Sequence, residues 1–349
     1  MLSSARETVP SATVIPIASR TPTVSYGPFF PNGLRPLFFR NMLANTPLFA
    51  IYGALGPIFC IIVLGHLLKR YGFPDAAFWP AAEQLTYFLL FPALLVHRLA
   101  LADLGDYAIA PFAGVIVATL GLITILLFLI KPRMGVDGPA FSSIYQGSIR
   151  FNTYVGLAAA SALLHAPGAT LAALAIALLI PLINVLCVAV LSHSNGSLGI
   201  TQLFAALLRN PLIVACLAGI ALNISGLGLP LGTAAVLDLL ARAALPLGLL
   251  TVGAGLYLQA TWSRRRELFL TTALKLLALP ALTFLLCRLV GLNDLETSVL
   301  VLFTALPGAP SAYILARQLG GDAQLMAAIV TVETAASLAT LPLIMALLL

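Results

Sequence analysis

A polar cluster interrupts the long apolar run between residues 141 and 164. Within SIRFNTYVGLA, Arg150, Asn152 and Thr153 place a cation, an amide and a hydroxyl near the middle of a segment long enough to cross a bilayer. Such residues are costly in lipid unless they have buried partners or bind something. A guanidinium can grip a carboxylate with two hydrogen bonds. The cluster therefore indicates either buried structural partners or a binding site, and Arg150 would suit an anion in the second case.

A second interruption follows in LPGAPSAY, where Pro307 and Pro310 cannot continue a regular helix because each lacks an N–H. Shifting Asn152 by 155 residues reaches Pro307, so the two interruptions correspond. The positive ends of interrupted helices can hold an anion without a metal ion. We predict that the following residues bind substrate: Arg150, Asn152, Thr153, Asn184, Pro307, Gly308, Ala309, Pro310 and Ser311.

Structural interpretations of the same residues remain open. Arg150 is also a candidate ion-pair partner of Glu333, and Asn184 either lines the site or bonds between helices. Asp238 and Arg242 are four residues apart on one helical face, which predicts a local ion pair. Two further charged residues lie nearer the ends of apolar segments, where their side chains are expected to snorkel toward water: Glu83 and Lys275.

The elements that must position these residues are membrane-spanning helices. Hydrophobic residues make up 60% of the 349 and charged residues 9%, against roughly 25% charge in soluble domains. The apolar runs are continuous and about twenty residues long, which favours helices over the alternating strands of a barrel. Ten spans are predicted, near residues 49–70, 79–99, 108–130, 140–164, 169–192, 202–224, 231–258, 268–290, 296–318 and 323–348. Residues 1–47 form a polar tail, interpreted as disordered or as a mis-assigned start.

The spans contain an internal repeat. Pro57, Gly65, Gly72 and Pro92 recur 154 residues later as Pro211, Gly219, Gly226 and Pro246. Because each half has five spans, residues 48–200 and 201–349 must insert with opposite orientation, which is the inverted-repeat plan of secondary transporters. Basic residues are concentrated in the loops after the odd-numbered spans, so both termini are predicted outside the cell membrane. They are Lys69, Arg70, Lys131, Arg133, Arg264, Arg265, Arg266 and Arg317.

The ordered motifs resemble the auxin efflux carrier family, which includes bacterial malate and malonate permeases. They begin with LGPIF and GHLLKRYG and continue through FLLFPALL, QGSIRFNTYVGLA, PLINVL, RNPLIVACLAGIALN, ALPLGLLTVGAGL and LPGAPSAYILARQLGGD. The resemblance implies a scaffold of spans 1, 2, 6 and 7. It also implies a transport domain of spans 3–5 and 8–10, in which broken spans 4 and 9 cross. The sequence departs from the family at Phe151, where proline or a small polar residue is expected.

The resulting hypothesis is a secondary-active permease for a small mono- or dicarboxylate, working by an elevator-like alternating access. The alternative is a sodium- or proton-coupled symporter or antiporter similar to bile-acid carriers. No enzyme signature is found, so catalytic residues, metal sites and cofactors are not expected. Expected partners are the organic anion, the inner or plasma membrane bilayer and, in one interpretation, a second copy in a homodimer. The net charge of +6 is spread over short loops and does not predict nucleic-acid binding.

Overall fold

A computed structural model describes residues 47–102, 107–195, 210–229, 232–256, 264–318 and 320–348. Over these ranges every regular element is helical. Six helical stretches are long and apolar enough to cross a membrane, and together with the composition they make the chain a multi-pass membrane protein. Apart from residue 47, the predicted tail lies outside the described residues, as do residues 202–209 of the predicted sixth span.

The helices of the first half begin after proline, a side-chain cap or a turn. Asp137 Oδ1 accepts from the Ala140 N–H at 2.9 Å and so starts one helix directly after Gly135 has ended another. The helices are α1 (Pro47–Arg70), α2 (Phe78–Leu85), α3 (Phe91–Ala100), α4 (Ile109–Met134), α5 (Gly138–Ile149) and α6 (Thr153–Asn195). A π-helical turn, Thr86–Leu90, joins α2 to α3. Helix α6 bends at His165, in the HAPG connection predicted between two spans.

The helices of the second half use the same devices. Asn210 Oδ1 caps one of them by accepting from the N–H of Leu212, and Asn293 with Glu296 forms a capping box at another. They are α7 (Pro211–Ile224), α8 (Thr233–Ala254), α9 (Arg265–Ala273), α10 (Leu279–Val290), α11 (Asp294–Ala305), α12 (Ser311–Gln318) and α13 (Ala323–Leu348). A second π-helical turn, Leu274–Ala278, joins α9 to α10.

Glycines bring α1 against α8 and α3 against α7. A Cβ added at Gly65 would collide with the carbonyl oxygen of Leu250, and one at Gly253 with that of Ile62, so these two backbones touch. A Cβ at Gly219 would meet the Leu99 side chain at 2.9 Å. Close approach through glycine is a common way to pack helices in a membrane, where van der Waals contact replaces hydrophobic burial as the driving force.

Except for α2, which packs on α8, the remaining helices form a second set of neighbours around α6, α11 and α13. Helix α11 packs on α10, α6 and α13, and α5 packs on α6 and α13. Phe141, Tyr145 and Phe303 are fully buried among them. The two interrupted helices described below belong to this set, so a closely packed surrounding holds their ends.

Candidate functional site

The first interruption separates α5 from α6. Helix α5 ends at Ile149, Arg150 is extended with ψ of 142°, and α6 begins at Thr153. Asn152 caps the start of α6: its Oδ1 accepts hydrogen bonds from the N–H groups of Tyr154 and Val155 at 3.1 and 3.2 Å. The break therefore depends on a side-chain cap rather than on proline.

The second interruption separates α11 from α12. Helix α11 ends at Ala305, Leu306 is extended with ψ of 148°, and α12 begins at Ser311. Pro307 and Pro310 bracket the non-helical segment, in which no regular hydrogen-bond ladder can continue. The chain restarts with two short turns, from the Ala312 N–H to Ala309 and from the Tyr313 N–H to Pro310, each at 3.0 Å.

The two interruptions touch, and we call the region of contact the crossover (residues 150–153 and 306–311). The Asn152 N–H donates to the Pro307 carbonyl at 2.8 Å. Phe151 and Phe303 stack edge to face beside it, with ring centroids 5.2 Å apart. The Gly308 N–H donates to Glu333 Oε2 at 2.8 Å, which fixes the second break against α13.

A cavity of about 630 Å³ opens beside the crossover. This volume lies within the range of small-molecule sites, about 300–1,000 Å³. The crossover and α6 form one wall, and α2, the first π-helical turn and the start of α7 form the other. The polar residues that line it are Glu83, Gln84, Tyr87, Arg150, Thr153, Asn184, Asn210 and Ser311.

A smaller cavity of about 50 Å³ lies on the other side of Thr153. Asn152, Pro310 and Ser311 line it together with Thr251 of α8. Asn152 is 1% exposed, and its Nδ2 has no hydrogen-bond partner, because the cap and the crossover use only its other polar atoms. Among the residues that the structure describes, this amide is therefore a buried donor with nothing to donate to.

Arg150 carries the positive charge among the described residues of the larger cavity, and its partner differs from the predicted one. Its guanidinium donates to Asn184 Oδ1, and both side chains are half-buried in the cavity wall. No ion pair with Glu333 is formed, because Glu333 is fully buried on α13 and accepts from Gly308 instead. Asn184 combines both interpretations given above, since it lines the site and bonds between elements.

The other predicted residues separate into two groups. Thr153, Ala309, Pro310 and Ser311 line the cavities, whereas Pro307 and Gly308 are buried and contribute backbone contacts behind them. Asp238 and Arg242 form their ion pair at 2.7 Å, with exposed side chains on α8, away from the cavity lining.

The sequence interpretation missed the wall opposite Arg150. Glu83 was expected to snorkel, but it is half-buried and lines both cavities. Tyr87 and Asn210 also face the larger cavity. The interruption of α2 by a π-helical turn at Thr86–Leu90 accompanies this site, as π-bulges often do, but it leaves no clear mark in the sequence.

Comparison with known proteins relates the chain to membrane transporters. Residues 169–345, slightly more than half of the chain, match a family described as "Membrane transport protein". The chain is 25% identical over 301 residues to an "Uncharacterized transporter" of Methanothermobacter thermautotrophicus, covering 82% of this chain and 94% of that protein. It is also 25% identical over 311 residues to a "Putative malonate transporter" of Rhizobium meliloti, covering 83% and 93%. The resemblance drawn from the motifs is thereby confirmed, and the chain belongs to the membrane transport protein family of auxin efflux carriers and malonate permeases.

Proposed function

We propose that this protein is a secondary-active transporter for a small organic anion, either a mono- or a dicarboxylate. The observation that carries the proposal is the position of Arg150, a cation held by Asn184 at the edge of a cavity beside two interrupted helices. Its guanidinium has five N–H donors, so the bond to Asn184 leaves others for a carboxylate. Thr153 and Ser311 add hydroxyl groups on the same wall.

The charge balance of the larger cavity supports binding of the anion at the Arg150 end. Among the described lining residues, Arg150 is the cation and Glu83 the carboxylate. A carboxylate ligand is attracted by the first and repelled by the second, and both effects are stronger at the low effective dielectric of a protein interior than in water. Arg150 therefore fixes where the negative group binds, and Glu83 limits how much negative charge the cavity accepts.

Two observations support the ten-helix architecture with inverted five-helix repeats. The breaks at Asn152 and Pro307 lie at matching places of the two halves and meet each other. The contact of α1 with α8 through Gly65 has its counterpart in the contact of α7 with α3 through Gly219. The two glycines are 154 residues apart, which is the offset of the sequence repeat.

The grouping of the helices supports an elevator-like movement. Helices α1, α8, α3 and α7 pack in series, each on the next, whereas α10, α6 and α13 all pack on α11. The larger cavity lies between the wall from α2 and α7 and the crossover, so a sliding movement would carry a ligand bound at Arg150. We place both termini outside the cell membrane, on the basis of the basic loops.

The test is uptake of labelled malonate, and of acetate as a monocarboxylate, into liposomes that contain the purified protein. Arg150→Gln should reduce uptake at low substrate concentration by about tenfold or more, since a hydrogen bond to a charged group contributes about 1.5–3 kcal/mol. Arg242→Gln, which removes an exposed arginine remote from the cavity, is the matched control and should leave uptake unchanged. Equal uptake by wild type, Arg150→Gln and empty liposomes for a panel of carboxylates would rule out the proposal.

A further inference from the structure

A second cation lies behind the crossover, and the site described above does not use it. Lys275 belongs to the π-helical turn Leu274–Ala278 and is 0% exposed, although it was expected to snorkel toward water. Its Nζ has no hydrogen-bond partner in the described part of the chain. A charged ammonium is costly to bury unless an opposite charge compensates it.

The compensating charge is Glu333, which is also 0% exposed. The π-helical turn that carries Lys275 packs on α13, the helix of Glu333, so the two opposite charges attract one another although the described residues show no direct ion pair between them. Oε2 of Glu333 accepts from Gly308 at the second break, whereas Oε1 has no partner. Glu333 therefore connects the π-helical turn to the crossover: it is attracted by the charge of Lys275, and it accepts a hydrogen bond from Gly308.

A third buried polar side chain belongs to the helix that packs beside this pair. Gln146 of α5 is 0% exposed, and neither its Oε1 nor its Nε2 has a hydrogen-bond partner. The π-helical turn that carries Lys275 contacts α5, α11 and α13. Buried polar atoms without hydrogen-bond partners are rare in proteins, so each one needs an explanation. In the described part of the chain, Gln146 Oε1 and Oε1 of the Glu333 carboxylate are left without partners, and such oxygens are the ligands that a small monovalent cation would use if the ammonium did not supply the charge.

On the basis of the proposed function, we infer that Lys275 is a positioning residue. Its ammonium, which is attached to the chain, supplies the positive charge that a coupling cation would otherwise bring to the crossover. Interrupted helices of transporters commonly bind such ions at their unwound backbone. In this protein the charge is part of the chain, so Glu333 is compensated and holds Gly308 without a bound ion. Transport is then independent of sodium, and a sodium-responsive site forms only when the ammonium is removed.

The experiment compares two substitutions that remove the charge but differ in volume. Lys275→Ala leaves space for an ion beside Glu333, whereas Lys275→Met fills that space with an apolar chain of similar length. Each purified variant is unfolded by heat in sodium chloride and, at equal ionic strength, in N-methylglucamine chloride. Sodium should raise the midpoint of Lys275→Ala by about 5 °C, because an ion that binds only the folded state stabilises it by mass action.

The other variants define the result that would overturn the inference. Sodium should not shift the midpoint of wild type, of Lys275→Met or of the double variant Lys275→Ala, Glu333→Gln. A sodium shift in wild type, or the same sodium response in Lys275→Ala and Lys275→Met, would show that Lys275 does not stand in for an ion. If Lys275→Ala is recovered from membranes only in sodium, that supports the inference, and equally poor recovery in both salts contradicts it.

Flux measurements then separate this inference from the proposed function. Wild-type uptake should be equal in the two salts, whereas uptake by Lys275→Ala should fall by about tenfold in N-methylglucamine and recover in sodium. Sodium-dependent uptake by wild type would overturn the role of Lys275 while leaving carboxylate transport intact. Absence of uptake for every carboxylate would defeat the proposed function, yet the thermal shifts would still decide the role of Lys275.

Discussion

The N–H of Asn152 donates to the carbonyl oxygen of Pro307 at 2.8 Å, joining two helix interruptions that lie 155 residues apart. Each break alone would leave backbone groups without partners inside a membrane protein, where such groups cost several kcal/mol. Here the Asn152 N–H of the first break is paired with the Pro307 carbonyl of the second. The crossover is therefore a single structural unit, and residues on both sides of it are expected to respond together to substitution.

Asn152 is expected to have two separable roles, a cap and a ligand donor. Asn152→Ala removes the oxygen that caps α6 and should lower the free energy of unfolding by about 0.5–2 kcal/mol. Asn152→Ser keeps a capping oxygen but lacks the amide Nδ2, so it should retain stability and still lose carboxylate affinity. Thermal unfolding and uptake kinetics of both variants check this. Full uptake by Asn152→Ser would mean that the amide does not touch the substrate.

Glu83 should weaken anion binding because its carboxylate lines the same cavity as Arg150. At an effective dielectric constant of 20, two charges roughly 8 Å apart interact by about 2 kcal/mol. We therefore expect Glu83→Gln to lower the KM for a dicarboxylate by up to about thirtyfold. Gln84→Glu, on the same cavity wall, adds a negative charge and should raise the KM. Shifts of equal sign in the two variants would contradict this electrostatic account.

The two breaks differ in how far the sequence predicts them. The second follows from Pro307 and Pro310, because a missing N–H is a local property of the chain. The first contains no proline and depends on Asn152 acting as a side-chain cap. The sequence around Thr153 also fits a helix interior, so the start of α6 at this residue is difficult to recognise. The backbone contact between the breaks was not predicted in detail, although the repeat offset matched Asn152 with Pro307.

Side-chain partners across helices were predicted less well than positions along the chain. Arg150 and Glu333 were paired because both are charged and lie inside apolar segments, but the sequence does not say which way each helix faces. Lys275 was expected to reach water because it lies nearer the end of a predicted span, whereas the π-helical turn holds it inside. Asp238 and Arg242 were the easier case, since a pair at i and i+4 depends on helical spacing alone.

The contact between α1 and α8 should tolerate no added side chain. Gly253→Ala drives a methyl group into the Ile62 carbonyl, and neither backbone can move without disturbing the other helix. We expect a loss of about 3 kcal/mol in the free energy of unfolding and poor recovery of folded protein. Gly53→Ala on α1 meets no atom within 4 Å and is the matched control. Size-exclusion profiles and thermal midpoints that are equal for the two variants would exclude this contact.

Gly248 offers a test of movement between α8 and α6, because it faces Tyr154 rather than a fixed backbone. An added Cβ would lie 2.9 Å from the Tyr154 ring, so Gly248→Ala opposes the arrangement of α8 and α6 seen in the structure. If α8 slides against α6 during transport, a side chain that blocks one relative position of the two helices shifts the population of conformations toward the other positions. We expect the maximal rate of uptake to change several-fold, with a smaller loss of thermal stability than in Gly253→Ala. Unchanged rates, or instability equal to that of Gly253→Ala, would indicate that α8 and α6 remain fixed to each other during transport.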